Sequence, residues 1–302
     1  MGEPALSENL TAILAAQRQR VDRALERWLP PLEDHPPQIH EAMRYSVFAG
    51  GKRLRPILAL LACEAVGGNS DDTLPIAAAL EMVHTYSLIH DDLPAMDDDD
   101  YRRGRRTCHR VYGEAIAILA GDALLTHAFR VLADRGPTRL GAEARLQIIA
   151  EIAEAAGSRG MVGGQVMDIL AEGREIDGPT LRRLHTQKTG ALIRASVRVG
   201  GIAGEAEEGR LQALTRYAER VGLAFQIVDD ILDIEGATAE MGKSAGSDLR
   251  RKKATYPAVI GLEESRRQAA RLLGEAKDAL RPLGEKGAAL AALADFVGRR
   301  RH

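Results

Sequence analysis

Aromatic residues are scarce, at 4% of the 302 residues with a single tryptophan, so any core must be packed mainly from aliphatic side chains. Apolar residues make up 45% of the chain, which is enough for a sizeable one. Cysteine is nearly absent. Cys63 and Cys108 are the only two and have no metal-ligand spacing, which points to a reducing compartment. Net charge is almost absent too, at −2, so there is no general electrostatic case for nucleic acid or an anionic membrane, and any basic chemistry must be local. The N-terminal stretch carries Glu3 and Glu8 and no long apolar run, so neither a signal peptide nor a membrane span is expected, and a cytoplasmic location is. Alternating β-branched runs, Pro/Ser-rich linkers, low-complexity tracts and internal repeats are all missing.

What is there is helix. Ala and Leu dominate, and glycine and proline fall at intervals suited to helices. The pattern predicts helices over about Glu8–Trp28, Ile39–Val47, from near Pro56, Ile76–Ile89, Glu114–Ala133, Ala142–Gly157, Met161–Gly173, Thr180–Gly201, Glu207–Glu235 and Tyr256–Leu283, with a last one ending near Val297. Ser70-Asp71-Asp72-Thr73 offers N-cap candidates, and Pro75 suits a first turn. The expectation is one all-α domain over 1–302, a bundle of about ten or more helices around a central cavity.

The apolar run Ile76–Ile89 ends in acid: Asp91, Asp92, Asp97, Asp98, Asp99 and Asp100, followed by Arg102, Arg103, Arg105 and Arg106. A run of acids is usually a solvated loop. Here Asp91 and Asp92 sit at the C-terminus of a buried helix, where the dipole disfavours anions, and a bound cation is the simplest compensation. Asp91 and Asp97 are roughly 240° apart on an ideal helix, but Pro94 breaks the helix and lets a loop carry Asp97 back. Hard oxygen ligands with room for phosphate describe a Mg²⁺ site, and the arginines behind them suit bidentate phosphate recognition. Downstream, Asp229-Asp230-Ile231-Leu232-Asp233 places Asp229 and Asp233 at i and i+4 on one helical face. Two such clusters suggest opposed walls holding a metal–diphosphate.

Three further stretches carry polar chemistry. Gly51-Lys52-Arg53-Leu54-Arg55-Pro56 is a plausible anion grip or a solvated basic turn. His84 lies two helical turns before Asp91, which fits either a core histidine or a ligand. Thr186-Gln187-Lys188-Thr189-Gly190 interrupts an apolar helix; a helical glycine costs about 1 kcal/mol relative to alanine. A helix break that turns Lys188 and the Thr189 carbonyl towards a developing cation is one reason to accept that cost, and a plain kink is the other.

With these motifs in this order, the chain resembles the trans-isoprenyl diphosphate synthases, specifically the bacterial type of farnesyl diphosphate synthase, over at least Ala49–Pro257. Asp91-Asp92-Leu93-Pro94-Ala95-Met96-Asp97 is similar to the family's first aspartate-rich motif with its two-residue insertion, and Asp229 to Asp233 to its second. The resemblance implies Mg²⁺, three ions with bound diphosphate, on Asp91, Asp92, Asp97, Asp229 and Asp233. It assigns Gly51, Lys52, Arg55, His84 and Arg103 to isopentenyl diphosphate, Arg102, Lys243 and Lys253 to the allylic diphosphate, and Lys188, Thr189 and Gln226 to the allylic substrate as catalytic residues. It also implies a homodimer. Tyr101 and Lys252 depart from the usual pattern without touching an expected ligand.

The implied reaction is ionisation, condensation and elimination, with an allylic carbocation shielded from water. The family rule joins an aromatic at Tyr86 and the insertion between Asp91 and Asp97 to a C15 product, and Ser87 is too small to block the chain earlier; core tyrosine is the other reading of Tyr86. Geranylgeranyl or geranyl diphosphate synthases are the near alternatives. A terpene cyclase has no need of Gly51–Pro56, and a non-catalytic subunit is expected to lose aspartates that are intact here. The basic C-terminus, Arg299 to His302, is a candidate lid.

Overall fold

In the computed structural model, residues 8–134, 139–239 and 254–300 are described. Within them the helical pattern is realised almost throughout: α1 Glu8–Trp28, α2 Pro37–Val47, α3 Leu54–Val66, α4 Leu74–Asp91, α5 Cys108–Tyr112, α6 Glu114–Ala133, α7 Ala142–Ala156, α8 Met161–Ala171, α9 Gly178–His185, α10 Ala191–Ala203, α11 Glu208–Ala239, α12 Tyr256–Ile260, α13 Leu262–Ala279 and α14 Ala288–Arg299. A π-turn, Thr186–Gly190, joins α9 to α10 with helical backbone on both sides, so the predicted helix over Thr180–Gly201 is continuous and widened at its polar interruption. The predicted helix over Tyr256–Leu283 is split, because Gly261 takes a positive φ of 85° between α12 and α13.

The helix α4 is apolar on every face, and from Pro75 to Ile89 most of its side chains are buried. It starts as expected with proline in the first turn, but Thr73 at its N-cap is helical and makes no side-chain capping bond, so the expected Ser70–Thr73 cap does not form. Each fully buried aliphatic residue contributes about 1.5–3 kcal/mol of burial, which is why a helix ending in two acids stays in the middle of the fold. One apolar cluster surrounds α4 with α1, α2, α6, α7 and α10; another joins α3 and α10 to α11, α13 and α14.

The sequence pattern missed a two-stranded antiparallel hairpin, β1 Tyr101–Arg102 and β2 Arg105–Arg106, which carries the arginines. Positive φ at Arg103 (53°) and Gly104 (75°) makes the turn. The helix α6 is long and apolar enough to cross a membrane, with mean hydropathy 1.5. In the fold one face of it, including Ala117, Ala120, Leu124 and Ala128, is buried against the core, while Ile118 and Leu119 are exposed.

Candidate active site

The loop before α3 shapes a basic basin. Gly51 takes φ 124°, a conformation that favours glycine, and the Arg103 guanidinium lies against its Cα. Arg53 is the anchor. It is 4% exposed and donates to Asp22 at 2.9 Å, to Glu81 at 2.8 Å and to the Val47 carbonyl at 2.8 Å. Burial alone would lower its pKa, but Glu81 and Asp22 together raise it above the ordinary arginine value.

Arg55, two residues on, is the opposite case. Its buried Nε has no hydrogen-bond partner, and burial, with Arg103 adding to the effect against Glu81, pushes its pKa down to about 10. A buried donor short of an acceptor is suited to an anion. Burial and then the charges of Arg55, Arg103, Arg102 and Arg53 hold His84 well below the usual imidazole range, so its ring is neutral. These groups line a cavity of about 780 Å³, together with Gly51, Lys52 and Arg103.

At the end of α4 the chain turns back as the proline implied: the Asp97 N–H donates to the Asp91 carbonyl at 2.7 Å. The Asp91 carboxyl is pushed up to about 6, by burial first, with Asp97 adding to the rise and Lys188 opposing it. Asp92 goes elsewhere. It is 3% exposed and accepts from Arg102 Nε and NH2, both at 2.7 Å, so the structure pairs two expected site residues with each other. Arg105 and Arg106 are exposed.

On α11, Asp229 is half-buried and accepts a 2.7 Å hydrogen bond from Arg300, just beyond α14. Burial raises its pKa against the pull of Arg300. Gln226 is half-buried one turn earlier, and Asp233 is exposed one turn later. Lys243 and Lys253, and Arg301 and His302 of the basic tail, lie outside the described residues. Asp91 and Asp229 are hard oxygen donors whose burial disfavours their charge, which is the chemistry a divalent cation relieves, and Asp97 adds a third carboxylate beside Asp91. Among the described residues no three acids, histidines or cysteines already converge as a ready cation cage, so further ligands have to come from elsewhere, such as diphosphate oxygens.

A second cavity, of about 600 Å³ and mostly apolar, runs beneath Asp91. Tyr86 and Ser87 line it, as do Met96, Met161, Val166, Ile169, Lys188 and Thr189, and it shares Arg55 and His84 with the basic basin. The π-turn presents Lys188 to this space, and Lys188 Nζ donates to Asp168 on α8 at 2.5 Å. Gly164 permits this packing, because a Cβ there would overlap the Lys188 backbone. Asp168 and Gln165, which lines the same cavity, were not foreseen from the sequence. Their signal was a polar pair three residues apart, after two glycines, in an otherwise apolar helix.

A family model described as Polyprenyl synthetase matches residues 36–286. The farnesyl diphosphate synthase of Escherichia coli (strain K12) is 47% identical over 288 residues, covering 94% of this chain and 96% of its own length. The geranylgeranyl diphosphate synthase of Cyanophora paradoxa is 46% identical over 290 residues, covering 96% of both. Among solved structures, an FPP/GFPP synthase from Zymomonas mobilis superposes with a TM-score of 0.86 at 37% identity, covering 96% of this chain and 99% of that one. Two acid-bearing helices beside a basic basin and an apolar pocket, carried on a matching fold and a matching sequence, place this chain in the polyprenyl synthetase family of prenyltransferases.

Proposed function

We propose that the chain condenses isopentenyl diphosphate with dimethylallyl and then geranyl diphosphate, releasing diphosphate and (E,E)-farnesyl diphosphate. The observation that carries this reading is the pair of cavities sharing Arg55 and His84: one basic and suited to a diphosphate, the other apolar and suited to a prenyl tail. Lys52, Arg55, Arg103 and neutral His84 hold the diphosphate of the homoallylic substrate over Gly51. Lys188, the Thr189 carbonyl and Gln226 face the allylic carbon, while Arg102, Lys243 and Lys253 take the allylic diphosphate.

Asp91, Asp92, Asp97, Asp229 and Asp233 would hold Mg²⁺, three ions with bound diphosphate, which neutralises charge on the leaving group. The homoallylic double bond attacks the allylic carbon as its C–O bond breaks, and a proton leaves for the released diphosphate. Proximity in the joined cavities supplies much of the acceleration. Apolar walls keep water from the carbocation.

Tyr86 sets the C15 limit, with Ser87 too small to stop the chain earlier. The second reading, a C20 product, is favoured by the presence of a geranylgeranyl synthase among relatives of similar identity. The chain acts as one domain, in the cytoplasm, as a homodimer. Of the ten exposed large apolar side chains among the described residues, seven lie on α6, α7 and α8, a face that a second copy would cover. Incubation with isopentenyl diphosphate and each allylic primer, then chromatography of the dephosphorylated products, tests the proposal. A C15 alcohol is expected; a dominant C20 alcohol overturns the length assignment, and no condensation product overturns the activity.

A further inference from the structure

Asp230 stands between Asp229 and Asp233 in the second acidic motif but does different work. It lies about 100° round the helix from Asp229 and is 6% exposed. Its Oδ2 accepts two hydrogen bonds, from the Tyr256 backbone N–H at 2.8 Å and from His185 Nε2 at 3.1 Å. Tyr256 opens α12, and its ring stacks on His185 with centroids 5.6 Å apart and planes 16° from parallel. His185 ends α9 and immediately precedes the π-turn that carries Lys188 and Thr189. One buried carboxylate thus ties α11, α12 and the joint between α9 and the π-turn.

We infer that Asp230 is a positioning residue: through His185 it holds the register of the π-turn, and so the aim of Lys188 and the Thr189 carbonyl, without being a metal ligand. This rests on the roles proposed above for Lys188 and Thr189. A π-turn is a rare, wide turn that persists only when its surroundings hold it. On the far side the Lys188–Asp168 pair and the glycine contact at Gly164 hold it. On the near side His185 is the hold, and Asp230 fixes the ring. A shift of the wide turn by one residue would reorient a side chain by about 100°. No charge on His185 is needed, because the neutral ring protonated at Nε2 already donates to the carboxylate.

Removing the acceptor should therefore lower the rate of chemistry and leave metal and diphosphate binding intact. Misplacement of about 1 Å in a reacting site costs up to about a hundredfold, so Asp230→Ala is expected to lower kcat about ten- to a hundredfold. The KM for isopentenyl diphosphate and the affinity for Mg²⁺ with inorganic pyrophosphate, measured by calorimetry, should stay within about twofold of wild type. Asp230→Asn, which keeps an acceptor oxygen, should recover most of the rate. His185→Ala should match Asp230→Ala, the double variant should be no worse than either, and His185→Gln, with an N–H near the Nε2 position, should recover part of the loss.

Parallel loss of Mg²⁺–pyrophosphate affinity in Asp230→Asn and Asp230→Ala would make Asp230 a ligand and overturn the inference. So would additive losses in the double variant, or wild-type kcat in folded Asp230→Ala. If Asp230→Ala does not fold, Asp230→Asn and the two His185 variants still decide. Absence of prenyl transfer by the wild type would instead overturn the proposed function, so the two failures are distinguishable.

Discussion

Arg300 donates a 2.7 Å hydrogen bond to Asp229, bringing the end of the last described helix onto the second acidic wall. The same guanidinium lies 4.4 Å from the centroid of the Phe225 ring. In this state a carboxylate proposed to face a cation is neutralised by the protein's own C-terminal segment. Arg300, within the stretch expected as a lid, thus meets the second acidic motif, while Arg301 and His302 lie outside the described residues.

Arg300→Ala should free Asp229 for a cation. A partly exposed ion pair contributes up to about 1 kcal/mol, so affinity for Mg²⁺ with pyrophosphate should rise by about two- to fivefold. Calorimetry reads this directly. A fall in affinity would mean that Arg300 grips the diphosphate instead of competing for Asp229.

The Asp91 carboxyl should leave a signature in the metal-free protein. Its pKa is raised from 3.8 to about 6, so the folded state binds a proton that the unfolded state has already lost. That stabilising contribution is present below about pH 4 and is lost as the pH rises to about 6. Other carboxylates titrate in the same range, so the expected readout is the difference in unfolding stability between wild type and Asp91→Asn, in chelator, across this window. Chelation should also abolish turnover, and Mg²⁺ should restore it. Full activity in excess chelator would sink the metal assignment.

Arg55→Ala should raise the KM for isopentenyl diphosphate about ten- to a hundredfold, the cost of about 1.5–3 kcal/mol for one charge-assisted contact. The KM for the allylic substrate should change much less. Lys188→Ala should show the reverse preference. Equal effects of both variants on both substrates would remove the division of labour between the two cavities.

Tyr86→Ala should open the floor of the apolar cavity while leaving Asp91, Asp97 and the basic basin in place. An extra isoprene unit buries four to five more carbons, several kcal/mol at about 0.8 kcal/mol per CH₂, which favours extension once room exists. Products should move from C15 towards C20 by chromatography. An unchanged C15 product from a folded variant would return Tyr86 to the core.

Local chemistry was legible early. Helix spans followed from apolar periodicity, and α1 and α6 begin and end where the pattern put them. Pro94 correctly implied the return of Asp97, because a missing N–H and a fixed φ act within a few residues. The polar run ending at Gly190 marked an irregularity in the helix, although not that it is a π-turn. The hairpin was illegible because strands of two residues carry no periodicity.

By itself, then, the order of residues determined the helices, the two acidic motifs, the basic loop before α3 and, through these motifs, the family. Packing decided which of several like charges does what. Arg53 became an anchor, while the Arg55 Nε was left without a partner, because Asp22 and Glu81 lie beside the first. Asp92 turned to Arg102, Asp229 met Arg300, and Lys188 met Asp168 across 20 residues of sequence. Neighbouring identical residues have the same intrinsic chemistry; burial and the charge opposite them differ, and both are properties of the folded chain.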